Sequence, residues 1–243
     1  MRKYRLDKLL VDKGFAGTRQ QAQDLIAEGQ ILVNGMPAVK PGSSFPPNCN
    51  IVLQGKKNPY VSRGGVKLEA GLVHFGINPQ DFICADIGAS TGGFTDCLLQ
   101  HGAQKVYAVD VGYGQLDWKI RNDPRVVVME RMNARNLRPT DISDPLDLAV
   151  ADASFISLKL LLPPLLPLFI SDIAILALIK PQFEAGKERV GKGGVIRDPD
   201  THTLVIEEIL AFTSSLSLKS HGTVLSPLRG PKGNKEFLVY LTS

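Results

Sequence analysis

The residues best able to do chemistry gather around an apolar run, Phe82-Ile-Cys-Ala-Asp-Ile87, which breaks into Gly88-Ala-Ser-Thr-Gly-Gly93 before Phe94-Thr-Asp-Cys-Leu-Leu99 resumes a helical pattern. Glycines at 88, 92 and 93 admit backbone conformations closed to other residues and let N–H groups come close to a ligand. The spacing is Gly-x-x-x-Gly-Gly with Asp86 inside the strand end, unlike the dinucleotide fingerprint, and no Gly-Lys-Ser/Thr follows it. That argues against NAD or FAD and against a triphosphate cradle, and favours a different adenosine-bearing ligand. A second strand, Lys105-Val-Tyr-Ala-Val109, ends in Asp110, a carboxylate about 20 residues from the loop, where a ribose diol can be received. A glycine-rich turn without a ligand is the plainer alternative.

Four further residues form a set. Lys67 follows the Ser62-Arg-Gly-Gly65 turn, Asp152 ends Leu146–Ala151, Lys180 ends Ile173–Ile179, and Glu236 precedes Phe237–Leu241. Three of them border predicted strands, and in an open α/β sheet the carboxyl ends of the strands form the ligand crevice. Asp152 and Lys180 should therefore emerge beside the cofactor. Taken singly, a charged residue at a strand border is normally structural or solvated.

The elements that must position these residues read as α/β. Apolar runs at 82–85, 106–109, 126–129, 146–151 and 174–178, and a final pair around 215–226 and 237–241, are separated by helical lengths. This pattern favours a mostly parallel sheet covered on both faces. The last two runs are close enough to pair antiparallel. A helix whose apolar side includes Leu68 and Leu72 leads into the sheet.

Ahead of it lies a smaller module. Leu6, Leu9 and Leu10 mark a helical face ended by Gly14-Phe-Ala-Gly17, and Thr18 with Gln21 forms a capping-box start for a second helix with Ala22, Leu25 and Ile26 inside. Ile31–Met36 enters an Asn-Gly turn, and Asn50–Gln54 returns after the proline-rich loop 41–47. Residues 54–60 read as a linker, giving expected domains of 1–59 and 60–243. Residues 1–60 hold nine Lys/Arg against four Asp/Glu, whereas the remainder holds nineteen against twenty. A basic front module suits a polyanionic partner, although lysines of this kind are as often solvated helix residues.

The segments Asp86-Ile-Gly-Ala-Ser-Thr-Gly-Gly-Phe-Thr-Asp96 and Val109-Asp-Val-Gly-Tyr-Gly-Gln-Leu116 resemble the cofactor-binding segments of the TlyA-type, or hemolysin-A-like, ribosomal RNA methyltransferases. These belong to the FtsJ-like group of RNA 2′-O-methyltransferases. The resemblance covers essentially the whole chain, including an N-terminal S4-type module carried by Arg5-Leu-Asp7, Thr18-Arg19, Gln21-Ala22, Ile26, Gly29 and Val33-Asn-Gly35. It implies a Rossmann-like S-adenosylmethionine-dependent methyltransferase sheet with a small S4-like α+β RNA-binding domain. It also implies that Lys67, Asp152, Lys180 and Glu236 correspond to the family's catalytic tetrad, with Lys180 accepting the proton of a ribose 2′ hydroxyl.

On the same footing, Asp86, Gly88, Ser90, Thr91, Gly92, Gly93 and Asp110 are the expected cofactor contacts, with Glu130 and Asn133 framing adenine. Arg5, Lys8, Arg19, Lys40 and Arg63 are expected RNA contacts, joined by Lys187, Arg189 and Lys192 from the glycine-containing segment 183–197, read as a mobile substrate loop. Lys180-Pro-Gln-Phe-Glu184 and Gly233-Asn-Lys-Glu-Phe237 match the family, whereas Met132 stands where Thr is common. The expected partners are ribosomal RNA and the ribosomal subunits, with cytidine in 16S or 23S RNA as target.

Cys49, Cys84 and Cys97 lack paired ligand spacing and read as thiols in a reducing compartment. The four histidines show no ligand spacing either, and no metal is expected. The first twenty residues carry charge throughout, and the apolar stretch 158–170 is interrupted by Pro163, Pro164 and Pro167. A cytoplasmic protein without stable membrane association is expected. The rival readings are a catalytically degenerate RNA-binding or ribosome-assembly factor and, less in keeping with the chain, a membrane-lytic protein.

Overall fold

In the computed structural model, Tyr4–Arg5 (β1) runs directly into Leu6–Asp12 (α1), followed by Arg19–Ala27 (α2), Ile31–Val33 (β2), Met36–Pro37 (β3), Ser44–Phe45 (β4) and Ile51–Leu53 (β5). The structure describes residues 3–27, 29–38, 40–54, 58–191, 193–230 and 233–243. These fall into two units, Met1–Asn58 and Pro59–Ser243.

In the first unit, Leu6, Leu9 and Leu10 of α1 pack with Ala22 and Ile26 of α2 and with Ile31 and Val33 of β2. This is the face their helical spacing predicts. Thr18 Oγ1 accepts the Gln21 N–H at 3.2 Å, and Gln21 Oε1 reaches back one residue beyond the cap to accept the Gly17 N–H at 2.8 Å. Asn34 and Gly35, at φ 52° and 81°, turn β2 into β3, and β5 pairs with the other edge of β2. The β1–β4 pair, two residues a side, is absent from the sequence reading because so short a run carries no period.

Asp7 is fully buried in this unit, where its carboxylate accepts from Arg5 Nε and Nη2 at 3.1 and 2.8 Å, Arg19 Nη2 at 3.0 Å, Gln23 Nε2 at 3.2 Å and the Lys8 N–H at 2.9 Å. Both arginine side chains stay more than half exposed, at 52% and 60%, so they are anchored at one edge and presented to solvent at the other.

The second unit continues with Gly64–Phe75 (α3), Ile83–Ile87 (β6), Gly93–Gln100 (α4), Lys105–Val109 (β7), Trp118–Arg121 (α5), Val126–Met129 (β8), Leu148–Ala151 (β9), Leu158–Leu165 (α6), Ala174–Ile179 (β10), Pro181–Glu184 (α7), Pro199–Ser215 (α8), Lys219–Leu225 (β11) and Phe237–Thr242 (β12). Its seven-stranded sheet has the order β11-β12-β10-β9-β6-β7-β8. Strands β8, β7, β6, β9 and β10 are parallel, and β12 lies antiparallel between β10 and β11.

Both faces of the central strands are buried. Successive residues of β9 alternate between two cores: Ala149 and Ala151 join Leu161, Leu162, Val205 and Ile209 from α6 and α8, while Leu148 and Val150 join Leu68, Leu72, Phe94 and Leu98 from α3 and α4. Central strands covered on both sides therefore read as continuous apolar runs. Cys49, Cys84 and Cys97 are free and buried. Among the described residues, no helix is long and apolar enough to cross a membrane.

Two outcomes follow for the Asp7 cluster. Arg5 first, with Arg19 and Gln23, holds the Asp7 carboxyl well below the usual carboxylate range against the opposing effect of burial. A depressed folded value stabilises the unit above the unfolded value of about 3.9, and that contribution is lost as pH falls below it. Urea titrations of the full chain, followed through NMR signals of residues 3–54, should show a lower midpoint at pH 3 than at pH 7. Asp7→Asn should lower stability of the same signals by about 1–3 kcal/mol at pH 7 and flatten that pH dependence.

Candidate active site

The chain runs β6, β7, β8 outward, then returns to the other side of β6 for β9 and β10. This reversal opens a crevice beyond the carboxyl ends of β6 and β9, the place where open α/β sheets bind ligands. Gly88, Asp110, Asp152 and Lys180 each directly follow a strand end there. Glu236 reaches the same edge from the opposite direction, because Phe237 of antiparallel β12 is registered against Ile179 of β10. Lys67 arrives from the early part of α3.

These four side chains form one connected ionic group. Lys67 Nζ lies 2.6 Å from Glu236 Oε2 and 3.7 Å from Asp152 Oδ2, while Lys180 Nζ lies 2.5 Å from Asp152 Oδ1. Lys67, Lys180 and Glu236 are buried, and Asp152 is 19% exposed. Two lysines stand against two acidic side chains. Lys180 Nζ also donates to the Asp152 backbone carbonyl at 3.2 Å and to Ser154 Oγ at 3.0 Å. Ser154 is a member of this site that sequence reasoning missed; its one signal is its place two residues beyond Asp152.

A cavity of about 340 Å³ adjoins the group, and Asp152 and Ser154 are in its wall together with Gly88, Ser90, Asp110 and Asn133. Gly88 has φ +87°, and a Cβ there would stand 3.0 Å from the Ala153 Cα, so the absence of a side chain lets the β6 loop close on the β9 loop. Asp110 ties the rim together: its Oδ2 accepts the Ser90 N–H at 2.8 Å and its Oδ1 the Gly112 N–H at 2.6 Å. Each carboxylate oxygen keeps a further lone pair for a diol. Met132 also lines the cavity.

Other expected cofactor contacts have different neighbours. Asp86 is buried and its Oδ2 accepts the Thr95 N–H at 2.9 Å and hydroxyl at 2.6 Å, fastening the first turn of α4 to the strand end. Burial pushes its carboxyl up to about 7 despite those two bonds, and Oδ1 has no hydrogen-bond partner among the described residues. The Thr91 carbonyl accepts the Asp117 N–H. Gly92 faces Leu116 and Ile120, and Gly93 makes room for Ser62 Oγ and the backbone of Gly65. Glu130 accepts the Gly114 N–H at 2.8 Å and pairs with Arg121, bracing the loop after β7. Asp86, Thr91, Gly92, Gly93 and Glu130 thus shape the crevice without lining the cavity, whereas Asn133 is in its wall. A ligand bearing a ribose diol fits this cavity, because Asp110 in its wall offers paired acceptors.

The expected RNA contacts divide similarly. Arg5 and Arg19 share Asp7, while Lys8 and Lys40 are exposed. Arg63 donates to the Arg229 carbonyl at 3.2 Å, and Arg189 pairs with Glu208 of α8 at 3.1 Å. The Lys187 side chain and Lys192 lie outside the described residues. Segment 183–197 is tied at several points. Glu184 accepts from Ser157 Oγ and the Leu158 N–H, and Asn234 bonds the Ile196 N–H and the Gly194 carbonyl.

The model of FtsJ-like methyltransferases matches residues 60–243, and that of the S4 domain matches residues 5–47. The 16S/23S rRNA (cytidine-2′-O)-methyltransferase TlyA of Mycobacterium tuberculosis is 46% identical over 99% of this chain and 90% of its own length. Hemolysin A of Brachyspira hyodysenteriae is 42% identical over 97% and 98%. A solved structure from Streptococcus thermophilus, whose name assigns it to the hemolysins, superposes with a TM-score of 0.81 at 43% identity, covering 100% of this chain and 89% of that one. The ionic tetrad at the sheet's crevice, the adjoining cavity and these matches agree: the chain belongs to the FtsJ-like, S-adenosylmethionine-dependent rRNA methyltransferases, in the TlyA group that carries an N-terminal S4 domain.

Proposed function

We propose that this chain methylates the ribose 2′ oxygen of cytidine in ribosomal RNA, in the 16S or 23S molecule or both, and that it does so in the cytoplasm. The observation that carries this reading is the buried Lys67-Asp152-Lys180-Glu236 group, assembled by ion pairs beside a cavity whose polar wall suits S-adenosylmethionine. When bound, S-adenosylmethionine supplies an electrophilic sulfonium methyl.

The chain's own residues do the rest. Asp110 offers acceptors for the cofactor's diol, Gly88 and Ser90 shape the wall beside it, and Asp86 holds the first turn of α4 behind that loop through Thr95. Lys180, as a free amine, accepts the 2′ proton, because an alcohol is a weak nucleophile until that proton leaves. Asp152 holds Lys180 Nζ at 2.5 Å, and Glu236 holds Lys67 Nζ at 2.6 Å, so the amine is kept in one place relative to the cavity. Catalysis of this kind rests largely on alignment. The intact tetrad disfavours a degenerate assembly factor, for which nothing maintains two buried lysines against two carboxylates.

Residues 1–59 act in this reading as an RNA-capturing module and 60–243 as the catalytic domain. Arg5, Lys8, Arg19 and Lys40 provide phosphate contacts on the first, and Arg63, Lys187, Arg189 and Lys192 extend them on the second. Backbone attraction of this sort is salt-sensitive and poor in sequence information.

Labelled S-adenosylmethionine should transfer methyl to 16S or 23S RNA, naked or in subunits from cells lacking the endogenous activity, and nucleoside analysis should return 2′-O-methylcytidine. A base-methylated product, or none despite tight binding of cofactor and RNA, would remove this reading. Lys180→Met should lower kcat by about 10²- to 10⁴-fold with cofactor affinity retained. Replacing Arg5 or Arg19 would also strand the Asp7 charge, so the cleaner RNA-binding variant is Lys8→Ala with Lys40→Ala. It should reduce RNA affinity and shallow the slope of log K against log salt by roughly 2, with cofactor binding unchanged.

A further inference from the structure

The proton taken up by Lys180 has a direction. Three oxygens surround Nζ: Asp152 Oδ1 at 2.5 Å, the Asp152 carbonyl at 3.2 Å and Ser154 Oγ at 3.0 Å. An ammonium can point a proton at each of them, but a neutral amine has two protons and one lone pair. A carboxylate and a carbonyl only accept, so each must keep an N–H, and a lone pair facing either would meet another lone pair. A serine hydroxyl both donates and accepts and rotates freely between the two. By elimination, the lone pair of neutral Lys180 faces Ser154.

Ser154 also has the right position for an intermediary. Lys180 is only 5% exposed, whereas Ser154 is exposed and lines both the 340 Å³ cavity and an adjoining groove bounded by Phe155, Gln182 and Phe183. Ser154 thus links the buried amine to both the cavity and the groove.

We propose that Ser154 is a positioning and proton-relay residue that stands between the ribose 2′ hydroxyl and Lys180; this rests on the 2′-O-methyltransferase reading above. As the 2′ O–H bond breaks, its proton bonds to Ser154 Oγ, and the proton Ser154 already carries passes to the Lys180 lone pair. One O–H bond is lost and one gained at serine, one N–H bond forms at lysine, and the electron pair left on the 2′ oxygen forms the new bond to the methyl carbon as the methyl–sulfur bond breaks and its electron pair stays on sulfur, leaving a neutral thioether. Lys180 ends as an ammonium with a proton for each of its three oxygen neighbours, the arrangement its surroundings satisfy best.

The test compares wild type, Ser154→Ala and Ser154→Thr in single-turnover methyl transfer to the RNA that wild type modifies, in mixtures of light and heavy water, with cofactor and RNA affinities measured separately by calorimetry. The relay requires a rate loss of about 10²-fold in Ser154→Ala with both affinities unchanged, and recovery of most of that rate in Ser154→Thr. It further requires a curved dependence of the wild-type rate on deuterium fraction, as two protons move together, and a linear one in Ser154→Ala. Full turnover by Ser154→Ala, or a linear wild-type dependence, overturns the relay while leaving the methyltransferase reading in place. Loss of cofactor or RNA affinity that accounts for the whole rate effect also overturns it, by reducing Ser154 to a wall residue. If wild type makes no 2′-O-methylated nucleoside, both readings fall.

Discussion

Four charged groups buried together at one end of a sheet must neutralise one another, and that requirement organises the second unit. Ionised side chains removed from water lose several kcal/mol of solvation each, and only close opposite charges with good geometry recover it. Here Asp152 stands between Lys67 and Lys180, and Glu236 closes the group on Lys67. Removing any one member leaves an uncompensated buried charge. The group is therefore held as a unit, and the strands that contribute to it must present their members at one edge of the sheet.

The sheet meets that demand through register. The parallel pairs β6–β9 and β9–β10 bring Ile87, Ala151 and Ala177 into one ladder region, so that the residues following the strands converge on one crevice. The antiparallel insertion of β12 then delivers Glu236 at the start of a strand to the edge where its neighbours finish. A shift of one residue in β12 would turn its side chains to the opposite face and move Glu236 away from Lys67. Two-sided burial fixes that register: Leu238 and Val239 belong to opposite cores.

Loops beyond the strands are fastened by carboxylates. Asp86 grips the first turn of α4, Asp110 joins the loop after β6 to the loop after β7, and Glu130 braces that second loop through Gly114. In the first unit, Asp7 does the same for Arg5 and Arg19. Several acidic residues near the ligand space thus act on backbone and neighbouring cations, which leaves only part of each available to a ligand.

The sequence by itself determined the α/β alternation, the N-terminal helices, the Asn-Gly turn, and which residues stand at strand ends, because these depend on local periodicity and on short-range backbone chemistry. Resemblance added the identity of the tetrad. Only the tertiary structure decided how those residues meet: that Asp152 serves two lysines, that Glu130, Gly92 and Gly93 support the crevice from outside the cavity wall, and that Ser154 faces Lys180. These contacts join residues tens to well over a hundred positions apart, and their geometry comes from strand register and helix packing, which no local pattern encodes. The two-residue β1–β4 pair was illegible for a related reason: its stability comes from the packing around it, and two residues have no periodicity to read.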